Sequence, residues 1–144
     1  MILFVCTGNT CRSPMAQALL EKRVEGTGLT VVSAGIMAFE ASASVGSKAA
    51  MASRGLSLDK HKPQMLTPEL IQEAKIILTM SQGHKQVVVA HETSATDKTF
   101  TLKEYVTGNM ADVADPYGGS LEVYQQTAQE LQTLIYQMNL EELQ

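Results

Sequence analysis

Short apolar runs alternate along the chain with longer segments in which apolar residues recur every three or four positions. The short runs lie at residues 2–5, 29–32, 76–80 and 99–102, and each has the length of a buried strand. The recurring spacing between them is typical of amphipathic helices. Strands that alternate with helices predict an α/β fold, in which helices cover both faces of a parallel sheet.

Two helices are well defined by the pattern. The first follows the first strand and presents Ala16, Leu19, Leu20 and Val24 on one face. The last begins after Ser120, a suitable capping residue, and its apolar stripe comprises Leu121, Tyr124, Ala128, Leu131, Ile135 and Met138. Weaker signals predict helices over 45–53, after Thr67 and after Ser81, and irregular chain over 56–66 and 103–119. Val87–Val89 would also suit a strand, but we favour a helix there.

Length and composition are those of an ordinary globular domain. The chain has 144 residues, 44% apolar and 18% charged, and we expect one domain over residues 1–144. A net charge of −4 argues against nucleic acid or a membrane surface as a partner. The apolar runs are too short to cross a bilayer, and the N-terminus lacks a basic leader. Two cysteines in one loop form no disulfide framework, so we expect a cytoplasmic protein. Nothing in the sequence demands more than a monomer.

The segment from Cys6 to Pro14 joins the first strand to the first helix and reads Cys-Thr-Gly-Asn-Thr-Cys-Arg-Ser-Pro. A glycine-containing loop that leads into a helix binds anions, because backbone N–H groups and the helix dipole both point into it. A phosphate group fits such a loop, and the Arg12 guanidinium can hold two of its oxygens. The residues expected to bind phosphate are Thr7, Gly8, Asn9, Thr10, Cys11, Arg12 and Ser13.

Cys6 stands at the start of this loop, where loop amides, the helix dipole and Arg12 would all stabilise a thiolate. These groups predict a lowered pKa for Cys6, and the Ser13 hydroxyl can add a hydrogen bond. A thiolate beneath a bound phosphate predicts covalent catalysis, in which Cys6 takes the phosphoryl group and water later releases it. An inert buried thiol is the simpler interpretation, but such a thiol needs neither Gly8 nor Arg12 beside it.

Cys6 and Cys11 could also form half of a zinc site or a disulfide. The spacing suits two zinc ligands, but no second close pair exists, and His61, His84 and His91 are distant in sequence. We therefore predict no metal and no cofactor, and we interpret the three histidines as structural. Oxidation to a Cys6–Cys11 disulfide would switch the nucleophile off reversibly, which is a secondary hypothesis.

The leaving group needs a proton donor from another loop at the same edge of the sheet. Asp115 is the best candidate, because Pro116 favours an extended backbone before it and Gly118–Gly119 allow a tight turn over a ligand. Asp112 is a rival and Glu104 a weaker one. The residues expected to line the substrate cleft at this edge are Thr10, Met37, Phe39 and Tyr117.

Taken together, the motifs resemble those of the low-molecular-weight protein tyrosine phosphatases, over essentially the whole chain. The matching segments are Val5–Pro14, Ser33–Gly35, Met80 and Asp115–Tyr117. The resemblance implies a four-stranded parallel sheet in the order 2-1-3-4 with helices on both faces. It also implies a metal-free, two-step hydrolysis of phosphorylated proteins, with Cys6 as nucleophile, Arg12 as phosphate clamp and Asp115 as acid and then base.

Two features within the family resemble the bacterial protein arginine phosphatases. They are Thr10, where many tyrosine phosphatases carry Ile, and the segment 100–108. Tyr117 departs from that subgroup, in which Phe is expected. A guanidine leaving group is far more basic than a phenolate, so it depends more on a nearby acid. We therefore expect a phosphoarginine phosphatase with a phosphocysteine intermediate; the alternative substrate is phosphotyrosine.

Other functions are disfavoured by particular residues. A thiol-dependent arsenate reductase on the same fold needs further cysteines to relay a disulfide, and none follows Cys11. A phosphate-carrying transport subunit would not need Arg12, and a non-catalytic phosphoprotein-binding module should lack Cys6 or Asp115. The sequence thus predicts a hydrolase that acts on phosphorylated proteins.

Overall fold

The computed structural model describes residues 1–144 and contains four strands and six α-helices. The strands are β1 (Ile2–Cys6), β2 (Val31–Gly35), β3 (Ile76–Thr79) and β4 (Thr99–Thr101). The helices are α1 (Arg12–Arg23), α2 (Val45–Ala52), α3 (Pro68–Glu73), α4 (Gln82–His91), α5 (Leu102–Thr107) and α6 (Leu121–Gln137). Short 3₁₀ turns occupy Thr93–Lys98 and Leu140–Leu143.

The four strands form one parallel sheet in the order β2-β1-β3-β4, which confirms the expected topology. β1 is one of the two central strands. Its last residue, Cys6, is paired with Gly35 of β2, and Val5 is paired with Thr79 of β3. The carboxyl ends of all four strands therefore meet at one edge, which is where ligands bind in sheets of this kind.

Each face of the sheet carries its own hydrophobic core. Side chains alternate along β1, so that Ile2 and Phe4 belong to the larger core while Leu3 and Val5 belong to the smaller one. The larger core contains buried residues of α1, α2, α5 and α6, and the smaller one contains buried residues of α3 and α4. The prediction of helices on both faces is therefore confirmed. No helix combines the length and the apolar character needed to cross a membrane.

The second strand lies further along the chain than its apolar pattern indicated. It runs from Val31 to Gly35, whereas the pattern placed it at 29–32. Ser33 and Gly35 are typical of turns, but both lie in the ladder, opposite Phe4 and Cys6. A small or polar residue is acceptable there because the loop that follows β1 packs closely against this end of β2.

The segment 103–119 is not all irregular, since α5 occupies its first residues. The Thr101 side chain accepts a hydrogen bond from the Glu104 N–H, and the Glu104 side chain accepts one from the Thr101 N–H. This capping box satisfies two backbone donors and stabilises a helix of only six residues. The helix favoured over a strand at Val87–Val89 is confirmed as part of α4.

β2 ends in glycine because the loop after β1 lies directly on Gly35. A Cβ atom at this position would lie 2.7 Å from the Thr7 carbonyl oxygen and 2.9 Å from the Asn9 nitrogen. Only a residue without a side chain permits so close an approach of two backbone segments. The Met37 N–H also donates to the Thr7 carbonyl, over 2.8 Å. The end of β2 and the residues after it thus hold the backbone of the loop that carries the candidate chemistry.

Candidate active site

The loop between β1 and α1 wraps around the sulfur atom of Cys6. Cys6 is 3% exposed, and its Sγ lies 2.8 Å from Ser13 Oγ. The backbone N–H of Asn9 donates to the same sulfur over 3.3 Å. Two groups that can donate thus lie next to the expected nucleophile, and hydrogen bonds of this kind favour its thiolate form.

Asn9 holds this loop in shape. Its φ angle is 55°, in the left-handed region that Asn tolerates better than most residues. Its buried Nδ2 donates to Ser13 Oγ (2.8 Å) and Ser33 Oγ (2.9 Å), and its Oδ1 accepts from the Gln64 N–H (3.0 Å). The Asn9 carbonyl lies 2.8 Å from His61 Nε2, which must carry a hydrogen because a carbonyl oxygen only accepts. The side chain expected to bind phosphate is therefore bonded to the interior of the protein.

His84 contacts the loop from α4, although nothing in its sequence position indicated this. It is 6% exposed, and its Nε2 lies 2.9 Å from Thr7 Oγ1. Its Nδ1 has no hydrogen-bond partner. Burial and then the charge of Arg12 lower the pKa of His84 to about 4, against the carboxylates of Asp112 and Asp115, which raise it. His84 is therefore neutral near neutral pH.

Arg12 joins the loop around Cys6 to the loop formed by residues 109–119. Arg12 is 6% exposed, its Nη1 donates to the Val113 carbonyl at 2.9 Å, and its Nη2 lies 3.5 Å from Asp115 Oδ2. The Asp115 side chain is half exposed, and its Oδ1 accepts from the Tyr117 N–H over 3.0 Å. The expected acid thus lies beside the expected phosphate clamp, although the two residues are far apart in sequence.

The two rival carboxylates face other partners. Glu104 accepts a hydrogen bond from Lys85 Nζ at 2.8 Å, and this bond lowers the pKa of Glu104. Asp112 Oδ1 accepts from the backbone N–H of Gln82 at 2.9 Å. Neither residue lines the cleft that contains Cys6.

A cleft of about 270 Å³ opens over the loop. Its lining residues are Cys6, Thr7, Gly8, Thr10, Cys11, Arg12, Met37, Phe39, Glu40, Asp115 and Tyr117. The structure therefore places the expected nucleophile, clamp and acid in one cleft, together with all four residues expected along its walls. Asn9 and Ser13 do not line the cleft; they lie behind its surface and are hydrogen-bonded to each other. A larger depression, of about 440 Å³, lies between α1 and residues 56–61 and contains neither cysteine.

The rim of the cleft is largely apolar. Met37, Phe39 and Tyr117 are 57%, 77% and 72% exposed, which is unusual for side chains of this kind. They offer contact area to a substrate side chain that enters between the loop after β2 and residues 109–119. Glu40 also lines the cleft, and it was missed because one acid in an exposed loop belongs to no sequence pattern.

Burial raises the pKa of the Cys6 thiol above its ordinary value. The hydrogen bond with Ser13, the charge of Arg12 and the hydrogen bond from Asn9 all act in the opposite direction, but desolvation outweighs them. The sequence-based prediction of a lowered pKa was therefore wrong. It counted the groups that stabilise the thiolate, and it could not include how completely the sulfur is removed from water.

Cys11 has a different environment from Cys6. Its Sγ lies 3.3 Å from Ser44 Oγ and 3.4 Å from the Tyr124 hydroxyl, and both cysteines are free thiols. No group of three or more His, Cys, Asp and Glu side chains is arranged to hold a metal ion. The polar contacts of Cys11 are with hydroxyl groups.

Comparisons with known proteins identify the family of the chain. The sequence profile of the low molecular weight phosphotyrosine protein phosphatase family matches residues 1–144. A protein-arginine-phosphatase from Geobacillus stearothermophilus is 50% identical over 135 residues, which are 93% of this chain and 90% of the relative. The solved structure of the YwlE arginine phosphatase from the same organism matches 99% of this chain and 91% of its own, with a TM-score of 0.91 and 48% identity.

A second solved structure bears on the chemistry. It is a cysteine-to-serine mutant of the YwlE arginine phosphatase with a phosphorylated active-site serine. It matches 94% of this chain and 91% of its own, with a TM-score of 0.89 and 44% identity. The chain belongs to the low molecular weight phosphotyrosine protein phosphatase family and is a protein phosphatase.

We expect Ser13→Ala to make Cys6 harder to ionise. The variant removes the hydroxyl 2.8 Å from the sulfur. Hydrogen bonds to charged groups contribute about 1.5–3 kcal/mol, so the midpoint of Cys6 reactivity should move upward by about one to two on the pH scale. The measurement is the rate of iodoacetamide alkylation of Cys6 against pH, with the modified residue identified by peptide mapping.

Ser33→Ala is the matched control for this experiment. Ser33 accepts from the same Asn9 Nδ2 that bonds to Ser13, and no hydrogen bond joins it to the sulfur. Ser33→Ala therefore removes one hydrogen bond of Asn9 and leaves the Ser13 hydroxyl next to Cys6 in place. An equal upward movement in both variants would show that loop shape, and not the Ser13 hydroxyl, controls the thiol.

His84 should make folding stability depend on pH in the acidic range. Its pKa is about 4 in the folded protein and 6.5 ordinarily, so the unfolded chain binds a proton that the folded chain excludes. This contribution to the free energy of unfolding is fully present above about pH 6.5, declines as the pH falls, and is lost below about pH 4. The measurement is urea denaturation between about pH 7 and about pH 5, for wild type and His84→Gln.

As the pH falls over this range, the free energy of unfolding of His84→Gln should decrease less than that of the wild type. His91→Gln removes an exposed imidazole from the same helix and is the control for the loss of one histidine. A difference between wild type and His84→Gln that stays constant with pH would contradict the assignment of a neutral, buried His84.

Proposed function

We propose that this phosphatase hydrolyses phosphoarginine residues of proteins through a phosphocysteine intermediate on Cys6. One observation carries the proposal: Cys6, Arg12 and Asp115 line the same cleft, with Arg12 Nη2 3.5 Å from Asp115 Oδ2. The identity of 50% to a protein-arginine-phosphatase supports the choice of substrate. Residues 1–144 supply all of these groups as one domain, so a monomer is sufficient.

In the first step, the phosphoryl group binds to residues 7–13, and the Arg12 guanidinium binds its oxygens as a planar fork. The Cys6 thiol gives its proton to an oxygen of the bound phosphoryl dianion and, as a thiolate, attacks phosphorus from the side opposite the leaving nitrogen. The sulfur–phosphorus bond forms while the phosphorus–nitrogen bond breaks, and protonated Asp115 gives its proton to the departing guanidine nitrogen. The products are phosphocysteine, a free arginine residue and ionised Asp115.

In the second step, water attacks the phosphorus atom of phosphocysteine. Asp115 takes a proton from this water, which returns the residue to its acid form. The sulfur–phosphorus bond breaks, and the electron pair returns to Cys6 as a thiolate that is stabilised by Ser13 and the Asn9 N–H. Inorganic phosphate then leaves the cleft. This cycle needs no metal ion and no cofactor.

Thr10 supports phosphoarginine over phosphotyrosine as the substrate. The Thr10 carbonyl accepts from the Ser44 N–H (3.0 Å) and the Ser47 hydroxyl (2.7 Å), which holds this residue against the start of α2. Thr10 lines the same cleft as Cys6 and is 7% exposed. A hydroxyl here gives a guanidine group a polar neighbour, whereas an aliphatic side chain would favour an aromatic ring.

Phosphotyrosine is the second candidate substrate. The family name and the apolar rim support it, because Met37, Phe39 and Tyr117 could pack against a phenol ring. A phenolate is the better leaving group, so such a substrate would depend less on Asp115. The two candidates therefore differ in how strongly turnover should respond to residue 10 and to residue 115.

Replacement of Thr10 tests the choice of substrate. The wild type should have a higher kcat/KM for a phosphoarginine peptide than for the matching phosphotyrosine peptide, and Thr10→Ile should move this ratio toward phosphotyrosine. Changes of one small group in a binding pocket alter discrimination by about 10- to 200-fold, so a shift of at least about tenfold is expected. Thr10→Val, which removes the hydroxyl without adding length, separates polarity from size.

Two results would contradict the proposal in different ways. A wild type that prefers the phosphotyrosine peptide would favour the second candidate. A ratio that is the same in wild type, Thr10→Val and Thr10→Ile would remove residue 10 from the explanation, whichever substrate is preferred.

A further inference from the structure

The loop of residues 109–119 is anchored at the junction between β3 and α4. The Val113 N–H donates to the Met80 carbonyl over 2.8 Å, and the Met80 N–H donates to the Val5 carbonyl over 3.0 Å. Val5 directly precedes Cys6 in β1. Residues 80–82 therefore connect the loop that carries Asp115 to the strand that carries the nucleophile.

Asp112 makes a second contact with the same junction. Its Oδ1 accepts from the backbone N–H of Gln82, the first residue of α4, at 2.9 Å. Gln82 N–H is one of the amides that a helix leaves without an internal partner, and a carboxylate is favourable at this positive end of the helix. Ser81 caps the same helix through the His84 N–H. The start of α4 thus holds the first residues of the segment that ends in Asp115.

Asp112 itself is badly placed for proton transfer. It is exposed, it does not line the cleft, and its Oδ1 already accepts from the Gln82 amide. Asp115 follows three residues later and lies beside Arg12, whose Nη1 also binds the intervening Val113 carbonyl at 2.9 Å. The segment 112–115 is therefore held by the Gln82 amide at its first residue and by Arg12 at Val113 and Asp115.

We propose that Asp112 is a positioning residue that acts through Asp115: its bond to the Gln82 amide sets where the acid lies over the cleft. This inference rests on the proposed function, because it takes Asp115 as the proton donor. A proton donor has to lie within hydrogen-bond reach of the leaving atom, and displacement of a catalytic group by about 1 Å can reduce rates by up to about a hundredfold.

The test compares four enzymes: wild type, Asp112→Ala, Asp115→Asn and the double variant. For each, kcat/KM is measured, because it covers the first step and not the later hydrolysis of phosphocysteine. One substrate is a phosphoarginine peptide, which needs the acid in that step, and the other is dinitrophenyl phosphate, whose leaving group does not. Asp112→Ala should slow the first substrate by about tenfold and leave the second almost unchanged. The double variant should be no slower than Asp115→Asn. Once position 115 carries no proton to donate, its displacement by the loss of Asp112 has no further effect on the rate.

Two further variants separate positioning from general damage. Asp112→Asn keeps an oxygen that can accept from the Gln82 amide, so it should recover most of the lost activity. Asp97→Ala removes an exposed carboxylate with no hydrogen bond, from the 3₁₀ turn before β4, and is the matched control. Equal losses on both substrates in Asp112→Ala, or losses that multiply in the double variant, would overturn the proposal.

Amide hydrogen exchange tests whether Asp112 holds the loop, whichever residue is the proton donor. Asp112→Ala should accelerate exchange of the Val113 N–H, which is bonded to Met80; unchanged exchange would overturn the inference. If Asp115→Asn lowered kcat/KM equally for both substrates, the proposed acid would be wrong, and the Val113 exchange would still decide whether Asp112 holds the loop. A wild type inactive on phosphoarginine would point to phosphotyrosine, and the same comparison would be made with that peptide.

Discussion

The site depends on one close contact between backbone segments, that of the loop after β1 against Gly35. A Cβ atom at position 35 would lie 2.7 Å from the Thr7 carbonyl, so the loop can adopt its shape only beside a glycine. The pairing of Cys6 with Gly35 in the sheet sets the starting point of the loop, and Asn9 closes it from inside through Ser13, Ser33 and Gln64. The amide groups that would bind phosphate are therefore placed before any ligand arrives, which is the condition for strong electrostatic stabilisation.

This buried arrangement has an electrostatic consequence for Cys6. Removal of Cys6 from water raises the pKa of its thiol, and Ser13, Arg12 and Asn9 offset only part of that effect. The same enclosure strengthens every interaction with a phosphate anion, because charges interact more strongly where water is excluded. Arg12 serves both loops, since it contacts the Val113 carbonyl and Asp115. In the proposed first step, substrate phosphate would therefore compete with Asp115 for the guanidinium and release the carboxyl group toward the leaving atom.

The grouping of Cys6, Arg12 and Ser13 at one candidate site could be predicted from the sequence, because all three lie in one loop and the helix start that follows it. Asp115 was predicted from local turn residues together with the rule that strand ends share an edge. The network around Asn9 could not be predicted, since Gln64, Ser33 and His61 come from distant segments and have no common spacing. The burial of Cys6 could not be predicted either. Because burial was left out, the sequence predicted a lowered pKa for Cys6, whereas the structure raises it. The helix α5 was missed because its evidence, the Thr101 and Glu104 capping pair, is only four residues long.

The central claim is that Cys6 carries the phosphoryl group between the two steps. The most direct measurement is rapid quenching of Asp115→Asn during turnover of dinitrophenyl phosphate, whose leaving group needs no acid, followed by mass analysis of the peptides of the enzyme. Loss of the base should slow hydrolysis of the intermediate, so one phosphoryl group should appear on the peptide that contains Cys6 and be absent in the Cys6→Ala, Asp115→Asn double variant. Turnover with no phosphoryl group on Cys6, or with the group on Cys11, would contradict the account.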